Sequence, residues 1–495
     1  MGSTRRIRRR AAAAAILSSL AVAGVVAEAG AASAGVGPLD MSMTFTTHQQ
    51  AAKDWLGDLT APLPKHGPLE VGVGFSAGTP TGSGATITSV SFSCDWVHKP
   101  VAPLPGITPG SRVNGSADCS YDQPGFYEVT VSASSSDGLT YSDTMNITVK
   151  APVALGVDRY YGLSRYGTAI GLTQQEFSNT PANAVVLARG DEFADALAGI
   201  PLAKAKNAAL LLTPGGPGVT NLDATVQTRL NSVLAPGNIV YILGGTSAIP
   251  TAVENQVKGM GYKVVRLAGS TRTGTALAIA TDPRALNNPA HIVVARGDDF
   301  ADALAAGPYA ANAFTSVAST TDTPAAIVLS NGPAASASLD PATAAYVRTK
   351  LAGSEVTAIG GGAQAALNQL PGAVGKFVPI VGQDRYQTMF MVAQHGWGTA
   401  DGALHAATMG VATGNQFPDA LTGGAFMALA NGPLLLSDPA SPNGYAVTAV
   451  KAGLYDLSDV AVFGGTHAVS QEQVTDILTA EQTTSANYRD HNSGF

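Results

Sequence analysis

Three arginines recur at the same place in a repeated pattern, and arginine suits the two-pronged binding of carboxylates and phosphates. Each arginine stands in a Gly-x-x-Arg sequence and is followed three residues later by a threonine. Two roles fit these side chains: they bind anionic groups of a ligand, or they pair with aspartates or backbone carbonyls and hold neighbouring copies together. The arginines are Arg165, Arg272 and Arg385, and the threonines are Thr168, Thr275 and Thr388.

A second pattern, Phe-x-Asp-Ala-Leu, follows each arginine and carries one aspartate per copy. In the third copy Pro418 precedes the aspartate, and because proline is accepted only in the first turn of a helix, the pattern predicts a helix N-terminus. There a carboxylate caps free N–H groups and complements the helix dipole, which contributes about 0.5–2 kcal/mol. We therefore favour a structural role for these repeat anchors, which are Phe193, Phe300 and Phe417 with Asp195, Asp302 and Asp419.

A Gly-Gly pair closes an apolar run in each copy. Such a pair at the start of a helix exposes backbone N–H groups and can bind an anion. A tight strand-to-helix turn also needs glycine for its backbone alone, so a structural role is again favoured. The pairs are Gly244-Gly245, Gly360-Gly361 and Gly464-Gly465.

These anchors appear three times in the same order, which identifies an internal repeat. Thirty residues separate the arginine from the aspartate in the first two copies, and 34 separate them in the third. In the first copy, Val185–Ala188, Leu210–Thr213 and Ile239–Leu243 are apolar on both faces, as strands of a covered parallel sheet are. Helical stretches lie between them at Phe193–Ala205 and Leu222–Leu234.

The predicted unit is βαβαβα, a Rossmann-like or flavodoxin-like layer sandwich. At about a hundred residues, each unit is long enough to hold a core of its own. Pro250 marks the place where a further helix begins. The sequence therefore predicts three α/β repeats in tandem.

The combined pattern resembles the cell wall-binding repeat 2 family over about two thirds of the chain. The resemblance implies three tandem copies that attach an exported protein non-covalently to anionic secondary polymers of Gram-positive walls. It also implies that a Leu-rich strand, complete here as Leu434-Leu435-Leu436, belongs to the ligand-binding candidates together with the arginines and the Gly-Gly pairs. The second copy departs most from the pattern, since Thr273 stands where Tyr166 and Tyr386 stand.

The N-terminus has the composition of a cleavable signal peptide. A basic stretch containing Arg5 and Arg6 precedes an apolar run over 11–26, and small-x-small sites follow up to Ala34. We expect residues 1–34 to be removed and the mature protein to lie at the extracellular surface of a Gram-positive bacterium. Beyond this segment, no uninterrupted apolar run reaches the ~20 residues of a membrane span.

The next segment is predicted to be a β-sandwich over 69–150, because short alternating runs are separated by Gly, Pro, Ser and Asp clusters. Its sequence from Cys119 to Val131 resembles PKD-type Ig-like domains, which serve as spacers or protein contacts. In an exported chain two nearby cysteines usually pair, and we expect a disulfide between Cys94 and Cys119. Closing that loop contributes about 3–4 kcal/mol on the chain-entropy model.

Several functions are disfavoured by the sequence. The net charge of −7 disfavours nucleic acid as a partner. The eight histidines recur at no repeat-equivalent position, and we predict no catalytic residue, metal or cofactor. Gly74–Gly78 matches G-x-S-x-G but lacks a following helix. Arg-Gly-Asp, at 189–191 and 296–298, is replaced in the third copy and is interpreted as a turn variant.

The predicted organisation is a signal peptide (1–34), a linker (35–68), a PKD-like or Ig-like β-sandwich (69–150), three repeats (153–267, 268–381 and 382–480) and a polar tail (481–495). The predicted function is anchoring to an anionic wall polymer, teichoic-acid-like or another glycopolymer, with the sandwich as spacer or contact for a protein partner. The alternative is a wall-modifying hydrolase with an unrecognised active site.

Overall fold

The computed structural model describes two regions of the chain. The first is rich in strands and lies between residues 40 and 150, and the second runs from residue 155 to the C-terminal residue 495. The predicted signal peptide lies outside the described residues. The described ranges are 40–47, 52–53, 59–62, 69–78, 85–94, 97–100, 112–121, 125–150, 155–193, 195–314, 324–352, 356–397, 406–438, 444–451, 457–480 and 488–495.

The N-terminal region forms two sheets. One has the strand order β1-β4-β7 and is antiparallel, and the other has the order β2-β3-β9-β8-β5-β6. The predicted linker 35–68 contains three of these strands, and the alternation of Met41, Met43 and Phe45 with polar residues is typical of a strand. The strands are β1 (Asp40–Thr47), β2 (Ala52–Lys53), β3 (Leu59–Pro62), β4 (Leu69–Gly78), β5 (Ile87–Cys94), β6 (Val97–Pro100), β7 (Arg112–Tyr121), β8 (Gly125–Ser135) and β9 (Thr140–Lys150).

Strands and helices alternate through the rest of the chain, as the sequence predicts. Proline and Asp caps set several helix starts, for example Asp223 and Pro250, which immediately precede α3 and α4. The elements up to the middle of the second copy are β10 (Gly156–Tyr161), α1 (Arg165–Glu176), β11 (Ala184–Arg189), α2 (Gly199–Ala205), β12 (Ala208–Thr213), α3 (Ala224–Val233), β13 (Ile239–Leu243), α4 (Thr251–Gly259), β14 (Lys263–Leu267), α5 (Arg272–Thr281), β15 (Ile292–Arg296) and α6 (Ala301–Asn312).

The rest of the repeat region continues the alternation of strands and helices, with an additional short 3₁₀ turn over Ala334–Ser336. Its elements are β16 (Ala326–Ser330), α7 (Pro341–Lys350), β17 (Val356–Ile359), α8 (Gly361–Asn368), β18 (Val378–Ile380), α9 (Arg385–Trp397), β19 (Thr408–Thr413), α10 (Phe417–Leu429), β20 (Leu434–Ser437), α11 (Tyr445–Lys451), β21 (Asp459–Phe463), α12 (Gln471–Ala480) and β22 (Tyr488–Asn492).

Each copy builds a parallel sheet with the same strand order. The first sheet is β12-β11-β13-β14 and the second is β16-β15-β17-β18, which is the 2-1-3-4 order of flavodoxin-like folds. Flanking α-helices complete repeated α/β layers, as predicted.

The third sheet is completed by a strand from the other end of the repeat region. Its order is β20-β19-β21-β10-β22, so that β10, the first strand of the first copy, takes the place that β14 and β18 take in their sheets. Strand β10 pairs in parallel with β21, from Gly156 opposite Asp459 to Tyr160 opposite Phe463. The three copies are therefore closed into a ring by their first strand.

Strand β22 lies within the predicted polar tail 481–495 and pairs in parallel with β10. Three of its side chains hold it against β10. The Tyr488 hydroxyl accepts a hydrogen bond of 2.8 Å from Arg159 Nε, and Arg489 and His491 bind the carboxylate of Asp158. Sequence composition hides this strand because most of its side chains are polar.

The copies share one interior. A single cluster of buried apolar side chains extends from Leu155 to Leu478 and includes residues of all three copies, while a second cluster fills the other face of the first sheet. The expectation that each unit holds a core of its own therefore needs revision. Within the described residues, no helix is long and apolar enough to cross a membrane.

Candidate functional site: the arginine–phenylalanine ring

The repeat anchors meet where the three copies join. The phenylalanines of the three Phe-x-Asp patterns contact one another: the ring centroids of Phe193 and Phe300 are 5.8 Å apart, those of Phe193 and Phe417 are 5.6 Å apart, and those of Phe300 and Phe417 are 6.2 Å apart. Each residue belongs to a different copy, so this cluster is the centre of the ring. Aromatic pairs at these distances are stabilising beyond their buried area.

Each repeat arginine lies over the phenylalanine of the preceding copy in the ring. The guanidinium carbon is 5.8 Å from the ring centroid for Arg165 over Phe417, 5.4 Å for Arg272 over Phe193, and 5.3 Å for Arg385 over Phe300. These distances are within the range of cation–π attraction. The contacts run in one direction around the ring and join every copy to the next.

The same arginines also bind backbone carbonyls of their own copies. Arg165 Nη1 donates to the Gly190 carbonyl at 2.8 Å, Arg272 to Gly297 at 2.7 Å, and Arg385 to Gly414 at 3.0 Å. Arg385 also forms an ion pair of 3.3 Å with Asp299 of the second copy. Of the two roles left open by the sequence, this geometry matches the one that holds the copies together.

The turn before each arginine is built to place it at the first position of a helix. A side chain directly before the arginine caps the helix, as Ser164 does for the N–H of Gly167 at 3.2 Å. The repeat threonine closes the same turn, because its hydroxyl accepts a hydrogen bond from the first glycine of Gly-x-x-Arg. The three bonds are Gly162 to Thr168 at 3.2 Å, Gly269 to Thr275 at 3.1 Å and Gly382 to Thr388 at 3.1 Å.

The repeat aspartates pack against the first glycine of the Gly-Gly pair in their own copy. In the third copy Gly464 has a φ of +100°, and a Cβ atom there would lie 2.4 Å from Asp419 Oδ2. Only glycine fits this backbone and this space. The same relation joins Gly244 to Asp195 and Gly360 to Asp302.

Burial changes the acidity of two of these carboxyls. It raises the pKa of Asp302 to about 6, with a further contribution from the neighbouring charge of Asp299. Burial also raises the pKa of Asp419, and the nearby Thr168 of the first copy and the charge of Arg165 act in the opposite direction. These aspartates lie at the carboxyl ends of strands, the usual ligand edge of such sheets.

The predicted helix N-terminus at the aspartate is confirmed in two copies. Helix α6 begins at Ala301 and α10 at Phe417, but α2 begins only at Gly199, four residues after Asp195. Pro201 thereby lies in the first turn of α2, where its missing N–H is tolerated.

The Gly-Gly pairs do not all start helices, which corrects the sequence interpretation. Helix α8 begins at Gly361, whereas α4 and α12 begin at Thr251 and Gln471, after an intervening turn. The intervening residues end in Pro250 before α4 and in Ser470 before α12, and the Ser470 hydroxyl caps α12 by accepting from the Gln473 N–H at 3.2 Å.

The Arg-Gly-Asp sequences are occupied by internal contacts. Arg189 binds Asp191 through two hydrogen bonds of 2.8 and 2.6 Å, and Arg296 binds Asp298 in the same way at 2.9 and 2.7 Å. The glycine carbonyl between them is held by the repeat arginine. Because these side chains are paired within the turn, the contacts agree with the interpretation of Arg-Gly-Asp as a variant of the turn after the strand.

The Leu-rich strand is mostly core. Leu434, Leu435 and Leu436 are 4%, 0% and 2% exposed, so their role is packing, but Leu436 also borders a cavity of about 320 Å³ at the end of β20. The cavity lies between the starts of α9 and α11. Its lining residues are Asp384, Tyr386, Leu436, Asp438, Gly444, Tyr445 and Thr448.

Two structural features had no anticipated role in the sequence. Helices α2, α6 and α10 cross at Ile200 of the first copy, whose equivalent is Gly307 in the second copy and Gly424 in the third. Cβ atoms on these two glycines would lie 2.4 and 2.8 Å from Ile200 Cδ1. In addition, Arg159 and Arg266 donate to the carbonyls of Gly464 and Gly244 at 2.9 and 2.8 Å.

The second copy lacks this last contact because Pro379 stands at the equivalent position. Arg159 and Arg266 each stand three residues before the glycine of Gly-x-x-Arg, so a comparison of that position between the copies would have found these two arginines in the sequence.

In the N-terminal region, the structure joins Cys94 of β5 to Cys119 of β7 by a disulfide, which links the two N-terminal sheets. Gly74–Gly78 lies inside β4 and forms no nucleophile turn.

Residues 159–254, 266–366 and 380–474 match the family model of cell wall binding domain 2. The three matches cover more than half of the chain and coincide with the three copies in the ring. The chain therefore belongs to the cell wall binding domain 2 family.

Two curated relatives come from Bacillus subtilis (strain 168). The N-acetylmuramoyl-L-alanine amidase LytC is 30% identical over 322 residues, which are 64% of this chain and 58% of that protein. The amidase enhancer is 33% identical over 199 residues, which are 40% of this chain and 24% of that protein. The chain thus spans less than two thirds of the length of either relative.

Two solved structures share the fold. Cwp6 from Clostridium difficile superposes with a TM-score of 0.55 at 16% sequence identity, covering 90% of this chain and 68% of that one. Cwp8 from Clostridium difficile gives a TM-score of 0.53 at 21% identity, covering 73% of this chain and 60% of that one. At these identities the likeness is one of fold.

Proposed function

We propose that this protein is exported to the surface of a Gram-positive bacterium and held there non-covalently by an anionic wall polymer. The observation that carries the proposal is the match of three segments to a cell wall binding family together with their closure into one ring. A ring of three copies presents related surfaces to a repeating polymer. Several weak contacts on one polymer combine into avid binding without any single strong site.

The arrangement of charges bears on how the polymer is held. The repeat arginines are engaged by carbonyls, phenylalanines and Asp299, and Arg189 and Arg296 are paired with aspartates. We therefore assign these arginines to assembly of the ring, and place the polymer contacts in the crevices outside the carboxyl ends of the strands, where ligands of such sheets bind.

The N-terminal sheets are proposed to form a PKD-like or Ig-like domain that acts as a spacer or contacts a protein partner. The disulfide between its two sheets suits an oxidising, extracellular location. No feature of the described residues favours the alternative of a wall-modifying hydrolase. In those residues, no group of three or more His, Cys, Asp or Glu side chains is arranged to hold a metal ion.

The proposal is tested by sedimentation of the mature protein with purified walls, before and after acid extraction of their anionic polymers. We expect retention on intact walls and its loss after extraction. Equal retention on both preparations would contradict polymer anchoring, because only peptidoglycan is common to them.

A further inference from the structure

Strand β22 and the residues after it lie in a groove of the first copy. The strand pairs in parallel with β10 over residues Val157 to Tyr161. The residues that follow β22 continue along the start of α1, where the Leu163 N–H donates to the Phe495 carbonyl at 2.6 Å. The groove therefore has two sides, the outer edge of β10 and the first turns of α1.

Two glycines on α1 make room for this segment. A Cβ atom on Gly171 would lie 2.9 Å from the Cβ atom of Ser493, and a Cβ atom on Gly167 would collide with the carbonyl of Phe495. Both glycines occur together only in the first copy. The equivalent residues are Gly274 and Ala278 in the second copy and Gln387 and Met391 in the third.

The third copy fills the equivalent place with a side chain of its own. There the N–H of Gln383, which corresponds to Leu163, donates to Gln387 Oε1 at 2.6 Å. In the first copy glycine stands in place of this glutamine, and the Phe495 carbonyl is the acceptor instead. The turn of the first copy is thus completed by a segment from the far end of the repeat region.

Charge distinguishes β10 from the edges of the other two sheets. The Asp158 carboxylate accepts a hydrogen bond of 2.6 Å from Arg489 Nε, and His491 Nε2 lies 2.6 Å from the same oxygen. Val265 and Val378 stand at the equivalent positions of β14 and β18, so those edges offer no carboxylate to β22. Within the described residues, the sheets of the first two copies end at β14 and β18. A sheet of this kind therefore forms without a fifth strand.

Detachment of β22 uncovers little apolar surface. The side chains of Arg489, Asp490 and His491 are 55%, 52% and 38% exposed, and Phe495 is 40% exposed, whereas Tyr488 packs against the core. Ion pairs and hydrogen bonds at the surface contribute little net free energy, because water replaces them. A segment with few buried apolar contacts opens at a much lower free energy than the whole protein.

We propose that the groove formed by β10 and α1 is a binding site for strand β22 of a second copy of this chain. The contacts of β22 with Asp158 join residues more than 320 positions apart in the chain, and they are the same when the strand belongs to another molecule. Such an exchange is strand addition at a sheet edge. It links two copies reciprocally into a dimer, or many copies head to tail, and it goes beyond the binding of a polymer.

Charge reversal on each side separates this exchange from attachment within one chain. Asp158→Lys places a like charge opposite Arg489, and Arg489→Glu places a like charge opposite Asp158, so that strand and groove repel each other in either variant. When the two variants are mixed as full chains, each groove faces a strand of opposite charge on the other molecule. The double variant Asp158→Lys/Arg489→Glu is the matched control, because its charges are complementary within one chain.

The readout is sedimentation velocity at concentrations where the wild type is a monomer. We expect both single variants and the double variant to sediment as monomers, and the equimolar mixture of the single variants to form a species of twice the mass. A mixture that stays monomeric, while each variant keeps the helical circular dichroism signal of the wild type, would overturn the proposal.

Hydrogen exchange in the wild type tests the proposal without any substitution, and therefore also decides it if a variant fails to fold. The amides of β22 and of Leu163 should exchange at least about tenfold faster than those of β21, because they become exposed whenever β22 detaches. Exchange of the β22 amides at the rate of β21 would mean that the strand leaves only when the whole sheet opens, and would overturn the proposal.

Discussion

The repeat arginines provide the sharpest separation between assembly and ligand binding. We consider Arg272→Met, which keeps the length of the side chain and removes its charge and donors. In the wild type, Arg272 donates to the carbonyl of Gly297 at 2.7 Å and lies 5.4 Å from the centroid of Phe193 in the preceding copy. Both contacts are lost in the variant.

The expected cost follows from these two contacts. Gly297 is buried, and loss of a hydrogen bond from a charged donor costs about 1.5–3 kcal/mol, while a cation–π contact at a partly exposed site contributes about 0.5–1 kcal/mol. Because the contacts share one side chain and are not additive, we expect a loss of about 2–3 kcal/mol in the free energy of unfolding.

The assay is urea denaturation followed by the helical circular dichroism signal, which reports the repeats because the described helices all lie there. Arg348→Met, at the exposed end of α7, is the control and should change the free energy of unfolding by less than about 0.5 kcal/mol. At equal folded concentration, Arg272→Met should bind walls as the wild type does. Unchanged stability together with lost wall binding would refute the assembly role and restore the arginine as a ligand contact.

Three further predictions concern the same ring. Gly464→Ala should destabilise the protein by about 2–4 kcal/mol in thermal unfolding, since it adds a clash with Asp419 to the backbone strain. The control Gly138→Ala, at a φ of +82° with open space around it, should cost only about 1–2 kcal/mol. Equal costs for the two variants would contradict the contact between Gly464 and Asp419. Gly307→Ala should lower the free energy of unfolding by about 1–3 kcal/mol by overpacking against Ile200. In a double-mutant cycle, the second change Ile200→Val should recover part of that loss. Strictly additive free-energy changes would argue against the contact between Gly307 and Ile200 at this helix crossing. The pKa of Asp302 is raised to about 6 in the folded protein, so the ionised carboxylate opposes folding above that pH, and this penalty is relieved as the pH falls from about 6 to 4. In denaturant titrations, Asp302→Asn should therefore stabilise the protein more at pH 7 than at about pH 4. A stability difference that does not depend on pH would count against the buried carboxyl.

Local elements could be read from the sequence because their signals are local. The apolar runs Ile239–Leu243 and Leu210–Thr213 became strands at those positions, with β12 beginning at Ala208, two residues earlier. Pro250 and Pro418 marked helix starts correctly, since proline has the same backbone restriction wherever it occurs. The family resemblance, which rested on anchors repeated in one order, was confirmed by the family match.

Ring closure could not be read in this way. Strand β10 carries Asp158 and Arg159 between apolar residues, and nothing in its composition names β21 as its partner. Strand β22 is mostly polar, and its place depends on Asp158 and Arg159, more than 320 residues away in the chain. Long-range pairing of this kind is decided by the tertiary fold and not by local propensity.

The roles of the site residues were only partly accessible. Spacing showed that Arg272 and Phe193 recur, but not that the arginine of one copy lies on the phenylalanine of another. The Leu-rich strand was a ligand candidate by resemblance. In the structure, Leu434 and Leu435 are buried, so their side chains do not reach a ligand at the surface. The cavity at Tyr445 depends on three separate segments and has no counterpart in any single motif.

Titration of the acid-released polymer into the full chain tests directly whether the ring binds a wall polymer. We expect saturable binding by calorimetry, and competition by the free polymer for retention of the protein on intact walls. Binding to stripped peptidoglycan with equal affinity, together with no heat and no competition from the released polymer, would contradict it.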